Sequence, residues 1–217
     1  MTHVLLLSGG LSTPSSTRLL AERIAENVAS LGETEAVHYE IHELRDSAHA
    51  VVDHLLTGFA PSALAEVHEK IRSADALVFV TPVYSQSIAG LAKSFLDTID
   101  PQWLEGKPVL LAATGGTERH QLALDYAVRP IFTYAKAAVV ATGIYAATND
   151  WGDPRSAAAL TARIGRATRE LAGSMLESGG NGSGESSRTT PTTKAGEGGD
   201  FSSPDFASLL RAQGIEP

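Results

Sequence analysis

"HVLLLSGGLSTPSSTRLL" (residues 3–20) decides how this sequence folds and where it binds. An apolar run stops at Gly9-Gly10, and a loop holding Ser12, Thr13, Ser15, Ser16 and Thr17 leads into a helical pattern. One or two hydroxyls suffice to cap a helix. Five in one turn suit a grip on an anion, because the N–H groups and dipole of a helix N-terminus favour negative charge. Arg18, in the first turn, adds one positive charge. The loop has no third glycine for G-x-G-x-x-G and no Gly-Lys-Ser/Thr end for a Walker A loop. Hydroxyls with few fixed charges fit a monophosphate ester better than a triphosphate with magnesium. An ordinary Ser-rich N-cap is the competing reading.

Outward from this stretch, similar apolar runs recur at "ALVFVT" (76–81) and "PVLLAAT" (108–114). Near-continuous apolar runs fit strands buried on both faces of a parallel sheet. The alternating "EAVHYEIH" (35–42) predicts a strand nearer an edge, and "AAVVATGIYAA" (137–147) predicts the last strand. Between them, one-sided apolar stripes predict helices: Leu20, Ile24, Val28 and Leu31; Leu64, Val67 and Ile71; Ile88, Leu91, Phe95 and Ile99. Another, from Leu160 through Ile164 and Leu171 to Met175, follows the last strand. Strand–helix alternation of this kind is an α/β, doubly wound, five-stranded parallel sheet with helices on both faces. The flavodoxin-like order 2-1-3-4-5 is the expected one.

The 217 residues with 43% hydrophobic and 19% charged content are ordinary for a soluble domain. We expect residues 1–177 to form that domain and 178–202, rich in Gly, Ser and Thr, to be a disordered linker. Residues 203–217 form a tail in which Phe206, Leu209 and Leu210 suggest a short docking helix. A net charge of −8 without a Lys/Arg run argues against nucleic acid and anionic membranes. The absence of cysteine excludes disulfides and thiol chemistry. "VLLL" is too short, and lacks the basic flanks, for a signal peptide, so the chain reads as cytoplasmic.

In such sheets ligands sit outside the carboxyl ends of the strands. A second loop there, "TPVYSQSIAG" (81–90), offers a Pro-Val-Tyr turn with an apolar surface and one aromatic ring, with Gly90 as a packing residue. The third, "ATGGTERH" (113–120), lets the backbone approach a ligand closely and supplies the hydroxyls of Thr114 and Thr117. His120 reads as a hydrogen-bonding or solvated residue at the rim, and the remaining histidines show no metal-ligand spacing, so no metal is expected. A phosphate grip, an apolar platform and a Gly-Thr loop together describe a site for a phosphorylated planar ring, and FMN fits.

Over residues 3–176, "SGGLSTPSSTRLL", "TPVYSQSIAGLAKSFLD" and "LAATGGTERHQLALDYAVRPIF" resemble the NAD(P)H-dependent FMN reductases of the flavodoxin-like fold. The nearest branch is the reductase components of two-component, alkanesulfonate-type flavin monooxygenase systems. The resemblance implies that Ser12, Ser15, Ser16 and Thr17 hold the FMN phosphate. Pro82, Val83, Tyr84 and Ser85 would line the isoalloxazine ring, and Thr114, Gly115, Gly116 and Thr117 would face its other edge. Many relatives carry Ser-x-Arg after the first glycine where this chain has Gly10, Leu11 and Ser12, so the usual arginine contact to phosphate is missing unless Arg18 substitutes, a departure that fits a flavin that comes and goes as a substrate.

The segment from Glu118 to Lys136 reads as one helix containing Pro130. Proline has no N–H for the carbonyl of Tyr126, so a kink or π-bulge is expected there. Relatives carry a π-helical turn near this tyrosine at a subunit interface, which implies a homodimer or homotetramer. With FMN and NADPH or NADH as cofactors, no catalytic side chain is needed for hydride transfer. Reduced FMN would pass to a flavin-dependent monooxygenase partner. An FMN-bound quinone or azo reductase, or a non-enzymatic flavodoxin-like electron carrier, remains the alternative.

Overall fold

Successive side chains of a strand point to opposite faces, and in β1 (Thr2–Ser8) both faces are apolar. Leu5 and Leu7 pack with Leu77, Phe79 and Leu111 on one side, whereas Val4 and Leu6 pack with Val78, Val80 and Leu110 on the other. A sheet so built must be covered twice. α1 (Ser16–Ser30) and α6 (Pro154–Gly180) cover the second face through Leu20, Ile24, Leu160 and Ile164. The first is covered by α2 (Ala48–Thr57), α3 (Ser62–Ser73), α4 (Gly90–Leu96) and α5 (Arg129–Tyr134). This is the arrangement in the computed structural model, which describes residues 2–31 and 37–180. The linker and tail expected beyond Gly180 lie outside the described residues; residues 178–180 close α6.

β2 (Val37–Glu43), β3 (Ala76–Tyr84) and β5 (Pro108–Gly115) run parallel to β1 in the order β2-β1-β3-β5. A short β4 (Ser87–Ile88) folds back antiparallel on β3. The last strand completes the flavodoxin-like order. It differs from the single strand expected over 137–147. β6 (Ala138–Val139) pairs with Pro108 and Val109, and β7 (Ile144–Ala147) pairs with Ala112 to Gly115. Side chains take the backbone groups between them. The Arg129 guanidinium donates to the carbonyls of Val140 (3.1 Å) and Ala141 (3.3 Å), and Glu170 accepts from the Thr142 N–H (2.7 Å) and hydroxyl (2.6 Å).

The expected single helix over 118–136 is three pieces: a 3₁₀ turn at Glu118–His120, a π-helical turn at Leu124–Val128, and α5. Pro130 cannot donate to Tyr126, and the Arg129 N–H reaches back five residues to the Leu124 carbonyl. Arg129, at the end of that turn, reaches the carbonyls just beyond β6. The helix α2 had no counterpart in the sequence pattern, because only Val51 is buried while Val52, Leu55 and Leu56 are exposed. Among the described residues, no helix is long and apolar enough to cross a membrane.

Two histidines, His68 buried and His42 half-buried, give the fold a pH dependence. His68 sits 3.0 Å from the Thr98 hydroxyl with its ring against Trp103 and His54, and burial, then the charge of His54, lowers its pKa. Burial, then Lys70, does the same to His42. The unfolded chain therefore takes up these protons first, near pH 6.5. Stability falls as pH drops through about 6.5 and is held above it. Denaturant midpoints at pH 7.5 and 5.5 should show the fall, and His68→Gln should reduce it; an unchanged midpoint in the wild type would contradict the burial argument.

Candidate functional site

All three loops meet at the carboxyl edge of the sheet, and the first is built around a helix cap. Ser15 is the N-cap of α1, with its Oγ accepting the Arg18 N–H at 3.2 Å. A Cβ at Gly10 would lie 2.1 Å from that Oγ, so this glycine is required by the cap. No acidic side chain occupies the first turn of α1, and an open cavity of about 510 Å³ is lined by that turn. Ser12, Ser15, Ser16 and Arg18 line that cavity, as do Glu43 at the end of β2, Arg45 just beyond it and Trp151 from beyond β7.

Thr17 is placed differently from the other hydroxyls. It is buried, and its hydroxyl lies 2.9 Å from that of Thr114, also buried. Against the expectation of two ligand contacts, the pair ties the first loop to the third from beneath. Arg18 is not free either. Its Nε donates to Glu22 at 2.8 Å and its Nη1 to Glu43 at 3.4 Å.

In the second loop the chain does not turn at Pro-Val-Tyr. Pro82 and Val83 stay buried in β3, Tyr84 is half exposed, and the reversal comes at Ser85 (φ 50°) and Gln86 (φ 62°). Two consecutive positive φ values are those of a type I′ hairpin. The apolar platform is thus the carboxyl end of a central strand, with Tyr84 half exposed at its tip. Gly90, expected to be a packing glycine, has open space where a Cβ would sit. Gly9 is the closer approach, with a Cβ there 3.3 Å from that of Ala92.

The third loop is held by a residue the sequence did not single out. Tyr145 in β7 donates its hydroxyl to the Thr117 carbonyl at 2.8 Å, and a Cβ at Gly115 would lie 1.9 Å from the Tyr145 hydroxyl oxygen. Burial and the nearby Asp150 and Glu118 raise the Tyr145 pKa, which keeps the phenol a donor. Gly116 is exposed, Thr117 caps the following 3₁₀ turn, and His120 is half-buried within it.

Arg45, Glu43 and Trp151 were also missed. Glu43 is the last residue of β2 and Arg45 stands two beyond it. Applying the carboxyl-end rule to "HELRDS" as well as to the other strands would have found them. Beneath all of this, the Ser8 hydroxyl is 1% exposed and has no hydrogen-bond partner. Buried hydroxyls are ordinarily satisfied. The cavity therefore gathers loop hydroxyls and two guanidiniums at a helix N-terminus, which is the chemistry of an anion such as a phosphate.

A family model described as NADPH-dependent FMN reductase matches residues 2–152. A Pseudomonas aeruginosa FMN reductase (NADPH) is 39% identical over 170 residues, covering 78% of this chain and 90% of that protein. The NADH-dependent FMN reductase SfnE of Pseudomonas putida is 40% identical over 165 residues, covering 75% and 86%. The crystal structure of an oxidoreductase from Corynebacterium diphtheriae superposes with a TM-score of 0.78 at 40% identity, covering 82% and 98%.

Proposed function

Because this chain belongs to the NADPH-dependent FMN reductase family, we propose that it reduces FMN at the expense of NADPH or NADH and releases the product to a flavin-dependent monooxygenase. The oxidoreductase class follows from the family. The observation that carries the site is the donor-rich cavity over the α1 N-terminus, where Ser12, Ser15, Ser16 and Arg18 converge. FMN, when bound, supplies the hydride acceptor, N5 of the isoalloxazine. The chain's own residues bind and orient. The α1 N–H groups and loop hydroxyls would hold the phosphate. Pro82, Val83, Tyr84 and Ser85 would lie along one side of the ring, and the backbone of Gly115, Gly116 and Thr117 along the other. No side chain is asked to move a proton.

Release is supported by the first loop, whose one cation, Arg18, is already paired with carboxylates. The resemblance to two-component reductases points the same way. Exposed Leu122, Tyr126, Pro130 and Tyr134 form a stripe along the π-turn segment that would pair with a second copy of the chain. The activity is set in the cytoplasm, where reduced nicotinamide nucleotides are available.

NAD(P)H oxidation followed at 340 nm, on protein of known flavin content and of mass measured by light scattering, tests all of this. Turnover that needs added FMN, from a colourless dimer or tetramer, is the expected result. Yellow protein that turns over only with a quinone or protein acceptor would overturn release, and a monomer would overturn the paired stripe.

A further inference from the structure

We propose that Arg45 is the phosphate-reading cation of the flavin site and that Glu43 is a built-in competitor for it, a pair that makes flavin binding reversible. This rests on the reading of the site as an FMN site.

Arg18 is a poor candidate for the role. A cation in the first turn of a helix opposes the helix dipole, and its Nε and Nη1 are taken by Glu22 and Glu43. Arg45 approaches from the other side. Parallel pairing sets Ser8 of β1 opposite Glu43 of β2, so the residues just beyond Glu43 are carried alongside the loop that follows Ser8. From there the Nη1 of Arg45 donates to the Thr13 hydroxyl and to the Ser12 carbonyl (3.3 Å). Its Nε lies 2.6 Å from Glu43, and Asp46 stands further off at 3.7 Å. None of these contacts uses Nη2, and a guanidinium offers five N–H donors in a fork that matches phosphate oxygens.

A second observation lies nearby, at the strand end from which the first loop starts. Val4, Leu6 and Ser8 share one face of β1, the face α1 covers, so the Ser8 hydroxyl lies under the first turn of α1. It is buried without a partner. The loop thus starts beside an unspent buried hydroxyl and is gripped by the Arg45 guanidinium at Ser12 and Thr13.

Glu43 is the unusual member. Its side chain is 15% exposed and touches both guanidiniums, 2.6 Å from Arg45 and 3.4 Å from Arg18. Two cations held by one largely buried carboxylate form a site in which an arriving dianion must compete with a resident anion. A tight-binding flavoprotein has no use for that arrangement. A protein that passes its flavin on does.

The same guanidinium chemistry would also suit the 2′-phosphate of NADPH, and the experiment separates the two. Dissociation constants for FMN and riboflavin are measured by flavin fluorescence on wild type, Arg45→Ala, Arg45→Lys and Glu43→Gln. The ratio of KM values for NADPH and NADH is measured on the same set. Losing a charge-assisted phosphate contact should weaken FMN about 10- to 100-fold in Arg45→Ala, with Arg45→Lys in between. Glu43→Gln should tighten FMN several-fold. Riboflavin, lacking the phosphate, should bind all four within about twofold, which also certifies their folding. Unchanged FMN affinity in Arg45→Ala overturns the proposal and leaves the FMN site standing. Parallel loss of both flavins makes Arg45 structural, and a shifted nucleotide ratio with constant FMN affinity assigns it to NADPH; either overturns it. Failure of the wild type to bind either flavin overturns the FMN reading itself.

Discussion

Gly115→Ala should lower kcat/KM for FMN-dependent NAD(P)H oxidation by about 100-fold, the cost of misplacing a binding loop by roughly an ångström. The added Cβ would stand 1.9 Å from the Tyr145 hydroxyl oxygen and 3.0 Å from the ring carbon that bears it. That ring cannot swing aside. Tyr145 is 5% exposed, and its hydroxyl is bonded to the Thr117 carbonyl. Either the segment from Gly115 to Thr117 moves outward or the phenol leaves its bond. Overpacking of this kind costs about 1–3 kcal/mol, and the lost hydrogen bond about 1 kcal/mol more. Tyr145→Phe on its own removes only the bond, and should cost about 1 kcal/mol with a modest effect on turnover. In Gly115→Ala/Tyr145→Phe the worst contact is gone. The double variant should thus be more active than Gly115→Ala, a coupling that additive effects would contradict.

Why Tyr145 was invisible beforehand, while Gly115 was not, shows what kind of information the sequence carries. Two glycines after a strand announce a close approach but not what approaches. The partner lies on β7, whose place beside β5 depends on Arg129 and Glu170 closing the gap before it. Those contacts join residues 11 and 28 apart, beyond any local pattern. The strand core is the opposite case. Continuous apolar runs at 3–8, 76–81 and 108–114 read directly as strands covered on both faces, and the structure buries them so.

Thr17 stands between these cases. It was grouped with the loop hydroxyls, yet it falls at helical spacing with Leu20, Ala21 and Ile24 on the buried stripe of α1. Thr114 likewise shares its strand face with Leu110 and Ala112, both in the α1-side core. Periodicity therefore contained their inward orientation. Five hydroxyls within six residues, broken by Pro14, mask it as composition. Arg45 was lost for a similar reason, since a lone arginine after an alternating edge strand carries no glycine or hydroxyl signature.

Truncating Phe79 should be the most destabilising single change in the apolar core, at about 3–5 kcal/mol, a large part of the 5–15 kcal/mol typical of a domain. Its ring is fully buried and lies 5.3 Å from that of Phe132. Register explains why the hole left by Phe79→Ala would persist. Phe79 pairs with Leu7 of β1 on one side and Leu111 of β5 on the other, so three hydrogen-bonded strands hold the cavity open. Phe132, across from it, sits on the six-residue α5 directly after the π-turn. That wall has fewer constraints and can move inward. Phe132→Ala should therefore cost less than Phe79→Ala, and the double variant less than the sum. Urea unfolding measures this, with the midpoint falling and the slope unchanged. Turnover well below the midpoint should survive in both variants, because Phe79 faces the α5 side of the sheet and stands three residues before Pro82. Equal costs at the two positions would make the π-turn segment as unyielding as the central strand. The compliance argued from its irregular hydrogen bonding would then be wrong.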